Sequence, residues 1–112
     1  MTVREAKGER PEIRDMLPQW ELLAMVAEEA SELAQAALKL RRCLDDVNPT
    51  RIGYVQAVHD LNEEWADVLL AIQQLSMIND GIVRKIMNEK EQRWLEHLIR
   101  HRKEQEDAEG RL

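Results

Sequence analysis

Phenylalanine is absent from the 112 residues, and three Trp and one Tyr bring the aromatics to only 4%. Sheets draw on aromatic and β-branched residues, so this poverty counts against a β-rich fold. Ala, Leu, Ile and Met carry the apolar fraction instead, a mix that favours helices. The four Gly and three Pro sit near the ends or between apolar runs, where helices break. One cysteine, Cys43, excludes an intrachain disulfide. No apolar run approaches the roughly 18–20 residues of a membrane span, and no signal peptide is visible. A basic surplus is also missing. The net charge of −6 argues against a broad nucleic-acid footprint, although divalent cations can still bring phosphates to an acidic chain. The simple expectation is a soluble cytoplasmic protein with neither nucleic acid nor membrane as partner.

With 44% hydrophobic residues the chain can build one core. Residues 1–15 read as a polar, flexible arm with one turn of helix. After Pro18, the apolar positions Leu22, Leu23, Val26, Ala30, Leu33, Ala34, Ala37 and Leu40 predict a helix from Gln19 to about Leu44. Residues 45–53 read as a loop. A second helix is predicted from Tyr54 to Ile78, with Val58, Leu61, Trp65, Val68, Leu69 and Ile72 as its stripe. Asn79-Asp80-Gly81 reads as a break, and a third helix is predicted from Ile82 to Arg102. Residues 103–112 read as a fraying, charged tail. Helices of such length, each about 30–38 Å at ~1.5 Å per residue, need partners for their apolar faces. The expected fold is all-α: a bundle of long antiparallel helices completed by oligomerisation.

Two acidic segments stand out, Glu28-Glu29-Ala30-Ser31-Glu32 and Glu63-Glu64-Trp65-Ala66-Asp67. With the first stripe centred on Val26, Leu33 and Ala37, Glu29 lies roughly 70° and Glu32 roughly 130° from that centre. Met25, Ala36 and Leu40 share their side, so the apolar arc runs on around the acids. Glu64 and Asp67 likewise share a side with Ala71, Leu75 and Ile78. Glu28 falls with Glu21, Gln35 and Lys39 on a side that reads as solvated. Buried bare carboxylates are costly and repel one another. They either pair with Lys and Arg, hold cations, or are surface acids of amphipathic helices. Oxygen ligands suit Mg²⁺ or Mn²⁺, and no Cys/His cluster offers a zinc site.

The sequence resembles the MazG-like all-α nucleoside triphosphate pyrophosphohydrolases, relatives of dimeric dUTPases and dCTP pyrophosphatases. The resemblance covers roughly residues 19–95. It rests on Glu28-Glu29-Ala30-Ser31-Glu32, on Glu64-Trp65-Ala66-Asp67, and more weakly on Asn88-Glu89-Lys90-Glu91-Gln92-Arg93-Trp94. It implies a single domain over 1–112 that cleaves a (deoxy)nucleoside triphosphate to the monophosphate and pyrophosphate, in a nucleotide-pool-cleaning role. It implies Glu29, Glu32, Glu64 and Asp67 as the Mg²⁺ ligands and catalytic acids, with Mn²⁺ as a substitute ion. Glu28 matches an acid that relatives do not always use as a ligand. The general base is left open between the four acids and a cation-activated hydroxide. Lys90 and Arg93 match the triphosphate contacts. Asn88 projects roughly 160° from Lys90 on an ideal helix and needs a kink or another subunit to join them. The separation of Glu32 from Glu64 is longer than the family's, which implies an enlarged loop.

Trp20 either stacks on the base or packs as a core or interface aromatic. Trp65 reads as core, and Trp94 as a cover for the site or an interchain contact. His97 and His101 read as a surface pair, since no HExxH context surrounds them. The implied partner is the chain itself, as homodimer or homotetramer. Three other readings stay open: a non-catalytic helical oligomerisation or interaction module, a nucleotide binder without turnover, and a related hydrolase of a phosphoribosyl nucleotide.

Overall fold

The computed structural model describes residues 8–45 and 53–110. The described residues are all-α, as the composition predicts. They form four helices: α1 (Ile13–Met16), α2 (Gln19–Asp45), α3 (Tyr54–Gln73) and α4 (Asp80–Gly110). They fall into two units, one ending at Met77 and holding α1 to α3, the other starting at Ile78 and holding α4. Of the polar arm, residues 1–7 lie outside the described residues, as does nearly all of the loop expected over 45–53.

Local chemistry sets most helix ends. The Glu12 N–H donates to Asp15 Oδ2 at 2.8 Å, which starts the single turn of α1. Leu17 precedes Pro18 and is held in extended backbone, because the proline ring disfavours helical geometry one residue earlier. Pro18 then serves the next helix. Its carbonyl accepts the Leu22 N–H at 3.1 Å, opening the ladder of α2. The interior of α2 holds neither Gly nor Pro and is rich in Ala, Leu, Glu and Gln, all good helix formers.

The helices α2 and α3 run antiparallel and pack along most of their length. Gln19 meets Gln74 and Ser76 at one end, while Ala36 meets Asp60 and Glu64 towards the other. The buried positions of α3 are Ala57, Val68 and Ala71, continued by Leu75 just past its end. Half-buried Leu61 and Glu64 fill the gaps, so the seam alternates steps of four and three, the spacing of a coiled-coil seam. On α2 the seam runs through Leu22, Met25, Glu29 and Ala36. Leu22 is fully buried, and burial of a leucine contributes about 1.5–3 kcal/mol. The small side chains Ala36, Ala57 and Ala71 let the backbones approach.

Four sequence expectations change here. The stripe of α2 is not centred on Val26, Leu33 and Ala37: Ala37 is exposed and Ala36 is buried, which rotates the interface towards Glu29. Trp65 is not core; it is 51% exposed, because the seam of α3 passes through Glu64, roughly 100° away. The second helix stops at Gln73 rather than Ile78. The Gln19 side chain captures the chain beyond it: its Oε1 accepts from the Ser76 N–H at 2.8 Å and the Ser76 hydroxyl at 3.2 Å, while its Nε2 donates to the Gln74 carbonyl at 3.1 Å. These bonds replace the helical continuation. The third helix is longer at both ends than predicted.

In the second unit, Asn79 starts α4 rather than merely breaking its predecessor. Its Oδ1 accepts the Ile82 N–H at 3.0 Å, and its carbonyl accepts the Val83 N–H at 2.9 Å, which is N-cap geometry. A Cβ at Gly81 would come within 3.3 Å of that Oδ1, so glycine leaves the cap room. The expected fraying over 103–112 is replaced by helix as far as Gly110. The Arg102–Glu106 pair, 3.3 Å apart at i,i+4, supports this last part. All residues of α4 are exposed, with Trp94 at 69% and the apolar Val83, Ile86, Leu95, Leu98 and Ile99 among them. No described helix is long and apolar enough to cross a membrane.

The Gln19 clamp gives a first prediction. Gln19→Ala removes three hydrogen bonds and should lower unfolding stability by about 1–2 kcal/mol, measured as the urea midpoint. An unchanged midpoint would show that the clamp does not fasten the end of α3.

Candidate metal centre

The acids meet in the middle of the α2–α3 seam. One carboxylate oxygen from each of Glu29, Glu64 and Asp67 lies within 4.8 Å of the other two. The spacing explains how. Glu29 and Glu64 occupy seam positions where a coiled coil would place leucine. Glu32 and Asp67 follow three residues after them, on the side where the seam opens to solvent. Because the helices are antiparallel, both i,i+3 pairs open to the same side.

Glu29 and Glu64 are half-buried, and each keeps one carboxylate oxygen, Oε2, buried with no hydrogen-bond partner. Asp67 and Glu32 are exposed. Burial raises the pKa of Glu29 above the ordinary glutamate range, and the negative charges of Glu32, Asp67 and Glu28 and hydrogen bonding with Glu32 push the same way. Glu64 is raised by burial first, then by the charges of Glu32 and Asp67, hydrogen bonding with Glu32, and the charge of Glu29. The charges of Glu32 and Asp67 therefore act on both half-buried glutamates. Among the described residues, no lysine or arginine forms an ion pair with any of them. The salt-bridge reading of these acids thus has no support within the first unit.

The donor set is all carboxylate oxygen, the chemistry of Mg²⁺ or Mn²⁺. Two oxygens on opposite sides of an octahedral Mg²⁺ stand about 4.2 Å apart. With all three oxygens within 4.8 Å of one another, one such ion could gather them with small side-chain shifts. The two orphaned oxygens are the stronger fit. A buried acceptor without a donor costs free energy, and a cation would supply what the protein leaves missing.

Other predicted residues lie elsewhere. Glu28 is exposed, about 100° around α2 from Glu29. Trp20 is 74% exposed and about 180° around α2 from Glu29, away from the acid side. Asn88, Lys90 and Arg93 are exposed on α4 in the second unit. Arg93 lines an open surface groove there with Glu89, Gln92 and Glu96. His97 and His101 are exposed on the same helix.

The sequence reading missed Lys39. It is half-buried and, with Gln35 and Asp60, walls an opening beside Glu32 and Glu64. Its helical angle, close to that of Glu32, was the available signal; a stripe centred on Val26 and Ala37 places it wrongly on the solvated side. A second opening, beside Glu29 and Asp67, is walled by Ile13, Leu22, Met25 and Leu70. Compared with protein-family models, curated proteins and solved structures, the chain gives no significant match.

The raised carboxyls fix the sign of a pH effect. Between the ordinary glutamate value of 4.5 and the higher folded-state values, the native chain binds more protons than the unfolded one. Stability therefore falls as pH rises through that window. Without divalent ions the melting temperature should be higher at about pH 5.5 than at pH 8. Glu64→Gln should raise the pH 8 value and flatten the profile. A flat wild-type profile would contradict the mutual repulsion described here.

Proposed function

We propose that the chain is a Mg²⁺-dependent nucleoside triphosphate pyrophosphohydrolase of the MazG-like type, with Mn²⁺ as an alternative ion. The observation that carries the reading is the convergence of Glu29, Glu64 and Asp67 on one point, with buried unpartnered oxygens on the two glutamates. The order of the acidic motifs supports it, because Glu29, Glu32, Glu64 and Asp67 all match the family's ligand positions.

Glu29, Glu32, Glu64 and Asp67 would hold the ion. When bound, it neutralises polyphosphate charge and makes water a stronger nucleophile. Cleavage adds a water oxygen to the α-phosphorus and breaks its bond to the oxygen bridging to the β-phosphorus. Pyrophosphate leaves with that electron pair, and a carboxylate of the cluster takes up the water's proton. The half-buried placement of Glu29 and Glu64 limits competing solvent and strengthens each charge interaction at the reacting group. Lys90 and Arg93 fit this scheme as phosphate contacts in an assembled oligomer, where self-association would also cover the apolar side chains of α4. Pool cleaning is the physiological task that such a reaction serves.

The non-catalytic interaction module differs in its consequences. It requires neither divalent ions nor nucleotides. A panel of ribo- and deoxyribonucleoside triphosphates with Mg²⁺ should yield monophosphate plus pyrophosphate, resolved by chromatography. The activity should vanish with EDTA and in Glu64→Gln, while circular dichroism of the variant stays helical. No turnover across the panel, with no nucleotide-dependent rise in melting temperature, would favour the interaction module.

A further inference from the structure

Two openings with chemically different walls flank the acid cluster of the α2–α3 pair. Towards Gln74, the opening has a volume of 140 Å³, with Ile13, Leu22, Met25 and Leu70 as apolar walls. Towards Asp60, an opening of 310 Å³ is walled by Gln35, Lys39 and Asp60. Glu29 and Asp67 border the first, and Glu32 and Glu64 border the second. The opening towards Asp60 alone reaches the lower bound of small-molecule sites, about 300–1,000 Å³.

Resting on the proposed reaction, we infer that the two openings act as one groove that binds nucleotide in one direction, with the base in the apolar end and the departing pyrophosphate on Lys39. The order of groups along the groove carries the inference. In a nucleoside triphosphate the base and sugar precede the α-phosphate, and the β- and γ-phosphates follow it. With the base among Ile13, Met25 and Leu70, the α-phosphate faces the acids. The remaining phosphates then extend past Glu32 and Glu64 towards Lys39.

Lys39 suits that role. Among the described residues it is the only basic one lining either opening. No ion pair engages it among the described residues. It lies two helical turns beyond Glu32, about 10.5 Å along α2. Helical side chains lean towards the N-terminus of their helix, so the Lys39 stem runs back towards the acids. Its ammonium therefore supplies positive charge where negative charge accumulates on the leaving group.

The test is calorimetric titration of the full chain with Mg²⁺ present, using pyrophosphate and nucleoside monophosphates separately. Lys39→Met should weaken pyrophosphate binding roughly tenfold, the loss of one charge-assisted contact, and leave monophosphate binding unchanged. Lys39→Arg should restore much of the pyrophosphate affinity. Leu70→Asn, at a half-exposed position, should do the reverse, weakening monophosphate binding only. Equal losses for both ligands in each variant, with hydrolysis by the wild type intact, overturn the direction and leave the reaction standing. A Lys39→Met variant that loses thermal stability but binds pyrophosphate normally also overturns it, and assigns Lys39 a structural role. Wild-type protein that binds neither ligand and hydrolyses no triphosphate removes the reaction and the direction together.

Discussion

Four carboxylates stand where two antiparallel helices meet, and their mutual repulsion governs the first unit. Glu29 and Glu64 hold seam positions, so α2 and α3 cannot close around a continuous apolar line. Apolar packing is displaced to either side of the acids. Leu22, Ala71 and Leu75 bury together on one side, and Ala36 and Ala57 on the other. The alanines contribute little area but bring the helices close, which also brings the carboxylates close. The same packing that holds the pair together therefore creates the electrostatic strain at its middle.

The Gln19 clamp makes sense in that setting. A seam interrupted by charge has less apolar area with which to fix the register of two helices. Three hydrogen bonds from one side chain to the chain around Gln74 and Ser76 fix it at the end nearest Leu22. They also keep Gln74 and Leu75 buried beside the apolar end of the groove. Much apolar surface nevertheless remains uncovered. Leu33, Leu61 and Trp65 line an open depression on the side of the seam away from the acids. In the second unit, α4 exposes its large apolar side chains along its length. A single helix draws little stability from its own side chains, and exposed apolar residues such as these suggest self-association.

Helix identity was readable because apolar periodicity survives in α2 and α3, and because neither interior contains Gly or Pro. The pairing of Glu29 with Glu32, and of Glu64 with Asp67, was readable for the same reason: i,i+3 acids inside an apolar arc define a side. What periodicity could not supply was the rotation of each helix about its axis. Alanine is tolerated both in a seam and on a surface, so Ala36 and Ala37 were interchangeable in the pattern. That ambiguity of one residue turned the interface by roughly 100° locally. It hid Lys39. On α3 the seam runs through Glu64 and not its neighbour Trp65, because an acid in an apolar line is not what periodicity anticipates. The end of α3 was illegible for another reason. Its partner, Gln19, is 55 residues away in sequence from Gln74. Asn79 was misread because a residue that stops one helix also caps the next.

Under the proposed metal-dependent function, the half-buried setting of the acids would resolve two opposed demands. Fully exposed carboxylates would be screened by water and would hold a cation weakly. Fully buried ones would be protonated or would prevent the helices from pairing. Here Glu29 and Glu64 each bury one oxygen, while Glu32 and Asp67 remain open to solvent. For the proposed cation, the buried pair would supply field strength, and the exposed pair would supply access and room for exchange of ligands. Lys39 lines an opening with Glu32 and Glu64 but forms no ion pair with them among the described residues. Internal salt bridges would have stabilised the empty fold, but they would also have occupied the oxygens that a cation needs.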